Sequence, residues 1–392
     1  MTKTGSARTC APQPAAGVFH VMSMLKDLVK FFRGYRREFG VFQIEASTYS
    51  ALECDVCPRA VFSEQWIFEN MSMETFRKIS PHFPSARWVS FRGWGDPLEN
   101  GDILPMLRMA NEAGCLTRLT TNGALLTDDL SRRLMETGLD EMVISLEFAT
   151  QAALESRERV GSDLHRILSQ VGGILQERKG ANRSRPLVKL ALPMTRLIMQ
   201  SLPDVVPLAA KLDVDQVIFG HLDYLPDERS NILRAFYHES PTPAFQEILD
   251  EVRRRAKAAG VVVTLYPLKA WEVPVCEPDP PNNVFFAADG SVAPCPYLRI
   301  PKKGAIPRIF MNKEYGVSQT VFGNVREEDF REIWKKESYR KFRQGFAERR
   351  KARKDALQLL DLISNPTPPE TPEKPPPPLS DLCHTCYKAY GL

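Results

Sequence analysis

The hydrophobic and polar positions between residues 42 and 219 follow two alternating periods. Short apolar or alternating runs predict six strands: Phe42–Ala46, Trp88–Phe91, Leu116–Thr120, Met142–Leu146, Val188–Leu192 and Gln216–Phe219. Helical spacing between these runs predicts helices near residues 73–80, 103–113, 127–137, 150–178 and 200–212. Strands that alternate with helices pair in parallel, and right-handed crossovers curve the sheet. The predicted fold class is therefore α/β, with a partial, TIM-like (β/α)6 barrel.

The segments outside this repeat have other patterns. Before it, residues 17–34 predict an amphipathic helix. Packing on the same chain is its simplest interpretation, and a partner or a membrane surface is the alternative. After the repeat, a predicted helix at 241–259 and a predicted strand Val261–Tyr266 lead out of the barrel. A predicted hairpin around Asp289-Gly290 and a charged helix near 328–363 follow.

These patterns divide the chain into three predicted parts. They are a tail and helix at 1–40, the barrel at 41–260, and a small α+β domain at 261–392. The last part contains a proline-rich insertion at 364–378, which cannot form a helix or an inner strand and is interpreted as an extended spacer.

Composition narrows the class of protein. The net charge of +4 over 392 residues is too small to indicate a nucleic-acid partner, and no apolar run is long enough to predict a membrane span. Eight cysteines include two Cys-x-x-Cys pairs, and the N-terminus has no apolar core followed by a cleavage site. We therefore expect a cytoplasmic protein whose cysteines bind a metal or a cluster rather than form disulfides.

The first cysteine pair, Cys54 and Cys57, follows the first predicted strand, at the edge where parallel α/β sheets place their ligands. The spacing alone would also suit a zinc pair or a redox dithiol. With the strand before it and Pro58-Arg59 behind it, the stretch resembles the signature loop of the radical S-adenosylmethionine (SAM) enzymes, Cys-x3-Cys-x2-Cys. The first cysteine position of that loop is occupied here by Ser50, and Val56 matches an apolar position that lies against the SAM adenine.

Three further stretches fit the same resemblance. Phe91–Leu98 resembles the family's Gly-Gly-Glu-Pro turn, which implies that the backbone of Gly93, Trp94 and Gly95 and the carboxylate of Asp96 bind the SAM ammonium. Thr121-Asn122-Gly123 resembles a common turn of the family, which implies that Asn122 contacts SAM, and Ser145 matches a position that hydrogen-bonds the SAM ribose or carboxylate. Each stretch would also suit an ordinary tight turn or strand end. His221 and Asp223, after the sixth strand, are either SAM or substrate contacts or solvated loop residues.

The C-terminal part carries a second signature. Its four cysteines surround the Asp289-Gly290 hairpin and end in a Cys-x-x-Cys pair: Cys276, Cys295, Cys383 and Cys386. This pattern resembles the SPASM domain or its shortened twitch form, which hold auxiliary 4Fe–4S clusters. Four thiolates saturate one cluster, so one auxiliary cluster is expected. A structural zinc site with the same four ligands is the alternative.

The resemblance implies an enzyme that reductively cleaves SAM to a 5′-deoxyadenosyl radical and abstracts hydrogen from a substrate. It further implies a peptide or protein substrate and an electron donor such as a flavodoxin or ferredoxin. The alternative hypothesis is a catalytically impaired barrel that acts as an iron–sulfur binding or partner module. Ser50 separates the two, because a serine oxygen is a hard ligand and keeps its proton at neutral pH, whereas iron clusters take thiolates.

Overall fold

The computed structural model describes residues 37–52, 57–146, 159–237, 242–352 and 377–392. The predicted N-terminal helix, Cys54, Val56 and nearly all of the proline-rich spacer lie outside these ranges. Among the described helices, none combines the length and apolar character that crossing a membrane requires.

One sheet of the described residues contains all the barrel strands. The six predicted strands are all present, with bounds β1 Phe39–Ile44, β2 Ala86–Phe91, β3 Leu116–Thr121, β4 Glu141–Ser145, β5 Leu187–Pro193 and β6 Gln216–Gly220. Each pairs in parallel with the next in sequence order, and β7, Val263–Leu265, continues the sheet beyond β6. The predicted parallel α/β fold is therefore confirmed.

Helices connect these strands in the order that the sequence predicts. In chain order they are α1 Pro58–Val61, α2 Met73–Ile79, α3 Ile103–Glu112, α4 Asp128–Glu136, α5 Arg159–Gly180, α6 Leu202–Leu212, α7 Glu228–Leu233 and α8 Pro243–Ala259. Side-chain caps fix three of these starts: Ser72 accepts from the Thr75 N–H, Thr127 from the Leu130 N–H, and Asp227 from the Ser230 N–H. The left-handed Gly260 ends α8.

The charged helix predicted near 328–363 is two helices over the part that the structure describes. They are α9, Phe330–Lys335, and α10, Glu337–Ala352, and the extended backbone of Lys336 separates them. The Lys336 ammonium donates to the Phe322 carbonyl oxygen at 2.9 Å and to Glu328 at 2.5 Å, which fixes the break. The prediction of one continuous helix was wrong because its charge periodicity carries no signal for this tertiary contact.

The C-terminal part does not stand apart from the barrel. The predicted hairpin is formed by β8, Val284–Phe286, and β9, Ser291–Ala293, with Gly290 in the left-handed turn position. β8 pairs in parallel with β1, and the two-residue β12, Gly323–Asn324, pairs with β9. Only the hairpin of β10, Ile306–Phe310, and β11, Lys313–Val317, forms a separate described sheet.

An aromatic cluster fills the space between β1, β8 and α9. The ring centroid of Phe42 lies 5.2 Å from that of Phe286 and 5.3 Å from that of Phe330. The ring centroids of Phe39 and Trp334 are 4.9 Å apart. All but Trp334 are buried. Such aromatic pairs contribute about 0.5–1.5 kcal/mol each beyond the area they bury. The cluster therefore packs the C-terminal part firmly onto the first strand of the barrel.

Candidate functional site

Loops that follow β1 and β3 meet at the carboxyl-terminal edge of the sheet. Asn122 Nδ2 donates to the Ser50 Oγ at 3.2 Å, and the Leu52 N–H donates to the same oxygen at 3.3 Å. The predicted cluster position and the predicted SAM-binding asparagine are therefore in direct contact. This oxygen already accepts two hydrogen bonds from its own chain.

The loop that carries the first cysteine pair is closed by an arginine beyond it. Arg59 Nη2 donates to the Leu52 carbonyl oxygen, which joins the two described sides of segment 53–56. Cys57 is half-buried at the start of α1, and its carbonyl oxygen accepts from the Ala60 N–H at 3.0 Å. The positions of Cys54 and Val56 stay predictions, because both lie outside the described residues.

Asp96 joins the loop after β2 to the loop after β3. Its carboxylate accepts from the Leu98 N–H at 2.9 Å, from the Thr121 hydroxyl at 2.8 Å and from the Asn122 N–H at 2.8 Å. Burial raises the pKa of Asp96, and these hydrogen bonds oppose the rise. Three donors leave about one of the four lone-pair directions of a carboxylate for a ligand. The structure thus gives Asp96 a bracing role in addition to the SAM contact predicted from the sequence.

Gly93 and Gly95, in the turn after β2, leave no room for a side chain because the loop after β1 packs against them. A Cβ on Gly93 would lie 2.4 Å from the Glu45 side chain, and one on Gly95 would lie 2.4 Å from the Tyr49 carbonyl oxygen. The turn after β2 therefore packs directly on the loop that carries Ser50. Sequence reasoning assigned these glycines to ligand approach, whereas the contacts that exclude a side chain here come from the chain itself.

Glu45, at the end of β1, was not predicted as a site residue. It is buried, and its carboxylate accepts from the Trp94 N–H at 2.9 Å and from the Ala288 N–H at 3.3 Å. Burial raises its pKa to about 7, against the lowering effect of those two hydrogen bonds. An acidic residue within the predicted strand Phe42–Ala46 was the available sequence signal, because acids are seldom placed among buried strand residues. Glu45 connects the cluster loop, the turn after β2 and the C-terminal hairpin.

Two other predicted cofactor contacts have definite surroundings. The Trp94 indole N–H is shared between the carbonyl oxygens of Pro296 and Arg299, at 3.1 and 3.2 Å, so its ring faces the C-terminal part. Ser145 is half-buried at the last position of β4, opposite Ala191 of β5. Both lie at the same edge of the sheet as Ser50, and their contacts with SAM stay predictions.

His221 and Asp223 differ in accessibility. His221 is buried and its Nε2 hydrogen-bonds the Pro267 carbonyl oxygen at 2.8 Å; burial lowers its pKa to about 4, so the ring is neutral. Asp223 is instead partly exposed at the carboxyl-terminal edge of the sheet, here called the barrel mouth. There it forms an ion pair with Arg92 from the end of β2 and one of 2.8 Å with Lys388 from the C-terminal segment. Burial alone would raise the pKa of Asp223, but Lys388 and Arg92 outweigh it and lower the pKa.

The four C-terminal cysteines come together. Cys276, Cys295, Cys383 and Cys386 line one cavity, with about 330 Å³ of empty space including the part that opens to solvent. Burial raises the pKa of the Cys276 thiol, and the three other cysteines raise it further. Burial likewise raises the pKa of Cys295 to about 12. Thiolates at these positions would therefore need a positive partner such as a metal cluster, and its binding would release protons.

This donor set fits an iron–sulfur cluster. Within the described ranges, no three His, Cys, Asp or Glu side chains are arranged to hold a single metal ion, although four thiols share one cavity. Four thiolates are the full ligand set of one 4Fe–4S cluster, and a structural zinc site would take the same four ligands. Arg308, buried beside the cavity, donates to the Leu382 carbonyl oxygen at 3.0 Å and fixes the segment that carries Cys383.

Known proteins resemble this chain in its C-terminal sequence and in its fold. Residues 276–357 match the family model of SPASM, described as an iron–sulfur cluster-binding domain. The fold is similar to that of Streptococcus suis SuiB, in one structure bound to S-adenosylmethionine (TM-score 0.54, 15% identity, 89% of this chain and 76% of that one) and in another to the precursor peptide SuiA (0.53, 15%, 86% and 73%). The chain therefore has the fold of the radical SAM enzymes and carries a SPASM domain, which confirms the resemblance predicted from its sequence.

Two relatives extend the comparison. The chain is 24% identical over 307 residues, 76% of its length, to the tungsten-containing aldehyde ferredoxin oxidoreductase cofactor-modifying protein of Pyrococcus furiosus, of which it covers 82%. It is 26% identical over 189 residues to the PqqA peptide cyclase of Rhodopseudomonas palustris, which is 46% of each protein.

The bracing role of Asp96 makes a first prediction. Asp96→Ala leaves the buried donors of Leu98, Thr121 and Asn122 without their acceptor, so the free energy of unfolding should fall by about 1–3 kcal/mol. SAM affinity should fall roughly tenfold to a hundredfold, because a charge-assisted hydrogen bond is lost. Denaturant titration and calorimetry with SAM measure the two effects. Exposed Asp102, whose side chain caps nothing, provides the control Asp102→Ala, and equal SAM affinity in parent and Asp96→Ala would remove Asp96 from the SAM site.

A buried arginine supports the second prediction. Arg349 of α10 donates to the carbonyl oxygens of Val273 and Pro274 at 3.0 and 3.2 Å, to that of Pro377, and to Glu272 at 2.6 Å. It therefore holds together the segments that lead to Cys276 and to Cys383. Arg349→Met should leave these oxygens unsatisfied, lower the free energy of unfolding by about 1–3 kcal/mol and accelerate iron loss from the C-terminal domain.

The neighbouring residue offers a matched control for this change. Arg350 pairs with Asp279 at 2.8 Å, but its side chain is 45% exposed, so Arg350→Met should cost less than about 1 kcal/mol. Denaturation curves and iron release to a chelator measure both variants. If Arg349→Met matched Arg350→Met in stability and iron retention, the hydrogen bonds of Arg349 would have no structural role.

Proposed function

We propose that the chain is a radical SAM/SPASM enzyme that reductively cleaves SAM and abstracts hydrogen from a peptide or protein substrate. The observation that carries the proposal is the convergence of Ser50, the turn ending at Asp96, and Asn122 at one edge of the sheet. The relative named as a peptide cyclase and the structural neighbour solved with a precursor peptide support the substrate class.

The residues of this site hold and orient rather than react. The loop closed by Arg59 would present Cys54 and Cys57 to a cluster, and Asn122 would keep the first ligand position in register with them. When bound, a reduced 4Fe–4S cluster supplies the electron that splits SAM into methionine and a 5′-deoxyadenosyl radical. Asp96 and the strand ends that carry Ser145 and Asn122 would fix the position of SAM relative to substrate.

The C-terminal domain would hold one auxiliary cluster on Cys276, Cys295, Cys383 and Cys386. Trp94 joins this domain to the turn after β2 by hydrogen bonds to Pro296 and Arg299, so the two predicted cofactor regions share a rigid contact. A flavodoxin or ferredoxin would supply the electrons. Four thiolates leave the auxiliary cluster with no open iron, which favours a structural or electron-carrying role over substrate ligation.

A specific observation supports a second candidate, an iron–sulfur module with impaired SAM cleavage. The Ser50 Oγ accepts hydrogen bonds from Asn122 and Leu52, so its lone pairs are engaged within the protein. A hydroxyl held in this way must lose its proton and these contacts before it can bind iron. The barrel would then retain its shape and its auxiliary cluster while binding the first cluster weakly.

Formation of 5′-deoxyadenosine tests the proposal against this alternative. The anaerobically reconstituted full chain is mixed with SAM and dithionite, and iron, sulfide and 5′-deoxyadenosine are counted per chain, with EPR before and after SAM. The enzyme proposal requires 5′-deoxyadenosine and a SAM-dependent change of the EPR signal. One stable cluster whose EPR signal is unchanged by SAM, with no 5′-deoxyadenosine above the SAM-free blank, would favour the iron–sulfur module with impaired SAM cleavage.

A further inference from the structure

Ion pairs connect the barrel mouth to the C-terminal domain. Asp223, after β6, is shared by Arg92 from the end of β2 and Lys388 from the segment that follows Cys386. The Lys388 ammonium is also 3.5 Å from Glu277. These four residues come from four separate parts of the sequence, and the proposed function assigns no task to Arg92.

The members of this network differ in their access to the mouth. The Lys388 side chain is 5% exposed, whereas those of Arg92 and Asp223 are 41% and 39% exposed. Lys388 therefore lies behind Asp223, and one oxygen of Asp223 holds the lysine while the other holds the guanidinium. Because the buried Lys388 holds the Asp223 carboxylate in place, Asp223 can in turn fix the orientation of the Arg92 guanidinium at the barrel mouth.

Arg92 keeps most of its donors available. A guanidinium has five N–H groups, and over the described ranges that of Arg92 makes a hydrogen bond to Asp223 only. Two aromatic residues belong to these surroundings. The Tyr297 side chain hydrogen-bonds Asp223, and its ring centroid lies 5.9 Å from that of Trp94, which follows Arg92 by two residues. Low-polarity walls strengthen the interaction of a guanidinium with an anion. The backbone of Arg92 is fixed as well, since its carbonyl oxygen accepts from Gln43 at 3.0 Å.

From this geometry we infer that Arg92 recognises a carboxylate of the substrate, with Asp223 and Lys388 as positioning residues. The planar fork of a guanidinium matches a carboxylate with two parallel hydrogen bonds, which a lysine cannot reproduce. The inference rests on the proposed function and narrows its substrate class to peptides with a carboxylate. That group belongs either to an acidic side chain or to a chain terminus, and the test separates the two sources.

Binding of paired model peptides to the full, reconstituted chain with SAM tests the inference. One pair is acetyl-Ala-Ala-Glu-Ala-Ala-amide and its Gln counterpart; the other is acetyl-pentaalanine as free acid and as amide. Calorimetry at one fixed ionic strength gives the affinity ratio of each pair. We expect the acid of one pair to bind roughly tenfold to a hundredfold more tightly than its neutral partner, the size of a charge-assisted contact. The preferred pair identifies the source of the carboxylate.

Variants link this preference to Arg92. Arg92→Gln should reduce the ratio to about one, and Arg92→Lys should keep only part of it, because the charge remains without the fork. Arg254→Gln, on a side chain that is 78% exposed on α8, should leave the ratio unchanged. Melting temperature and auxiliary iron content report on folding, and Arg92→Lys carries the test if the glutamine variant does not fold.

The outcomes are separable from those of the proposed function. Equal binding within both pairs, no binding of any peptide, or a full preference retained by both Arg92 variants would overturn the inference. Formation of 5′-deoxyadenosine by the parent without peptide is measured in the same preparation. Its absence would count against the proposed function, whereas the peptide ratios judge the carboxylate site by themselves.

Discussion

Replacing Ser50 by cysteine should raise the iron content of the chain, by at most about four atoms, and restore a tightly held first cluster. The change supplies a third thiolate at the same side-chain length, beside Cys54 and Cys57. Changes outside the first ligand sphere of metal sites already alter affinity about 10–100-fold, so restoring a ligand should have at least that effect. The parent should hold this cluster weakly and form 5′-deoxyadenosine slowly, and both values should rise together in Ser50→Cys.

Two controls make the comparison specific. Ser63→Cys adds a thiol at an exposed position outside the cluster loop and should change neither value. Ser50→Cys combined with Cys57→Ala should lose the gain, because only two thiolates remain. The measurement is iron and 5′-deoxyadenosine per chain under dithionite, with all variants reconstituted side by side. A parent that turns over as fast as Ser50→Cys would show that Ser50 is a competent ligand or that another group replaces it.

Removing the terminal cysteine pair should abolish the auxiliary cluster. In Cys383→Ala/Cys386→Ala the cavity keeps only Cys276 and Cys295, so about four irons per chain should be lost. The C-terminal domain should also unfold more easily, because cluster binding and folding of such a site are coupled. Iron and sulfide analysis with EPR measures the loss, and denaturant titration measures the stability.

His384 provides the control for this double change. It lies between the two cysteines but is exposed, so His384→Ala should keep the iron. Recovery of one zinc and no auxiliary iron from an anaerobic preparation of the parent would contradict the cluster and favour the zinc alternative. Loss of the first cluster together with the auxiliary one would show that the two regions depend on each other through contacts such as that of Trp94 with Pro296.

Strands and turns were predictable from the sequence where a short run of residues determines them by itself. Each barrel strand has an alternating or apolar run, and the left-handed Gly290 was visible as an Asp-Gly turn. Strand β1 begins at Phe39, earlier than predicted, because its first residues pair with Ala86 and Trp88 of β2. That pairing joins residues far apart in sequence, whereas the break at Lys336 is fixed by the nearer Phe322 and Glu328, and neither contact has a periodic signal in the sequence.

The candidate site divides in the same way. The family resemblance implied that Ser50 and Asn122 belong to one site, and the cysteine positions predicted that four thiols share one C-terminal site. The supporting contacts were not predictable, because charged residues that pair across the fold have no periodicity. Arg349 within a charged helix and Lys388 in a short C-terminal segment resemble solvated residues in sequence, yet both are buried.

The pairing of β1 with β8 has a consequence for dividing this protein into parts. The Val41 N–H donates to the Asn283 side chain across 242 residues, and Gly40 likewise donates to the Asn282 carbonyl oxygen. A fragment that stopped after the barrel helices would leave the hydrophobic edge of β1 without its neighbour, which is a template for aggregation. During synthesis that edge must also wait for most of the chain to emerge. Chimaeras that exchange the C-terminal domain between relatives should therefore carry β1 with it, and should be judged by whether this one strand finds its partner.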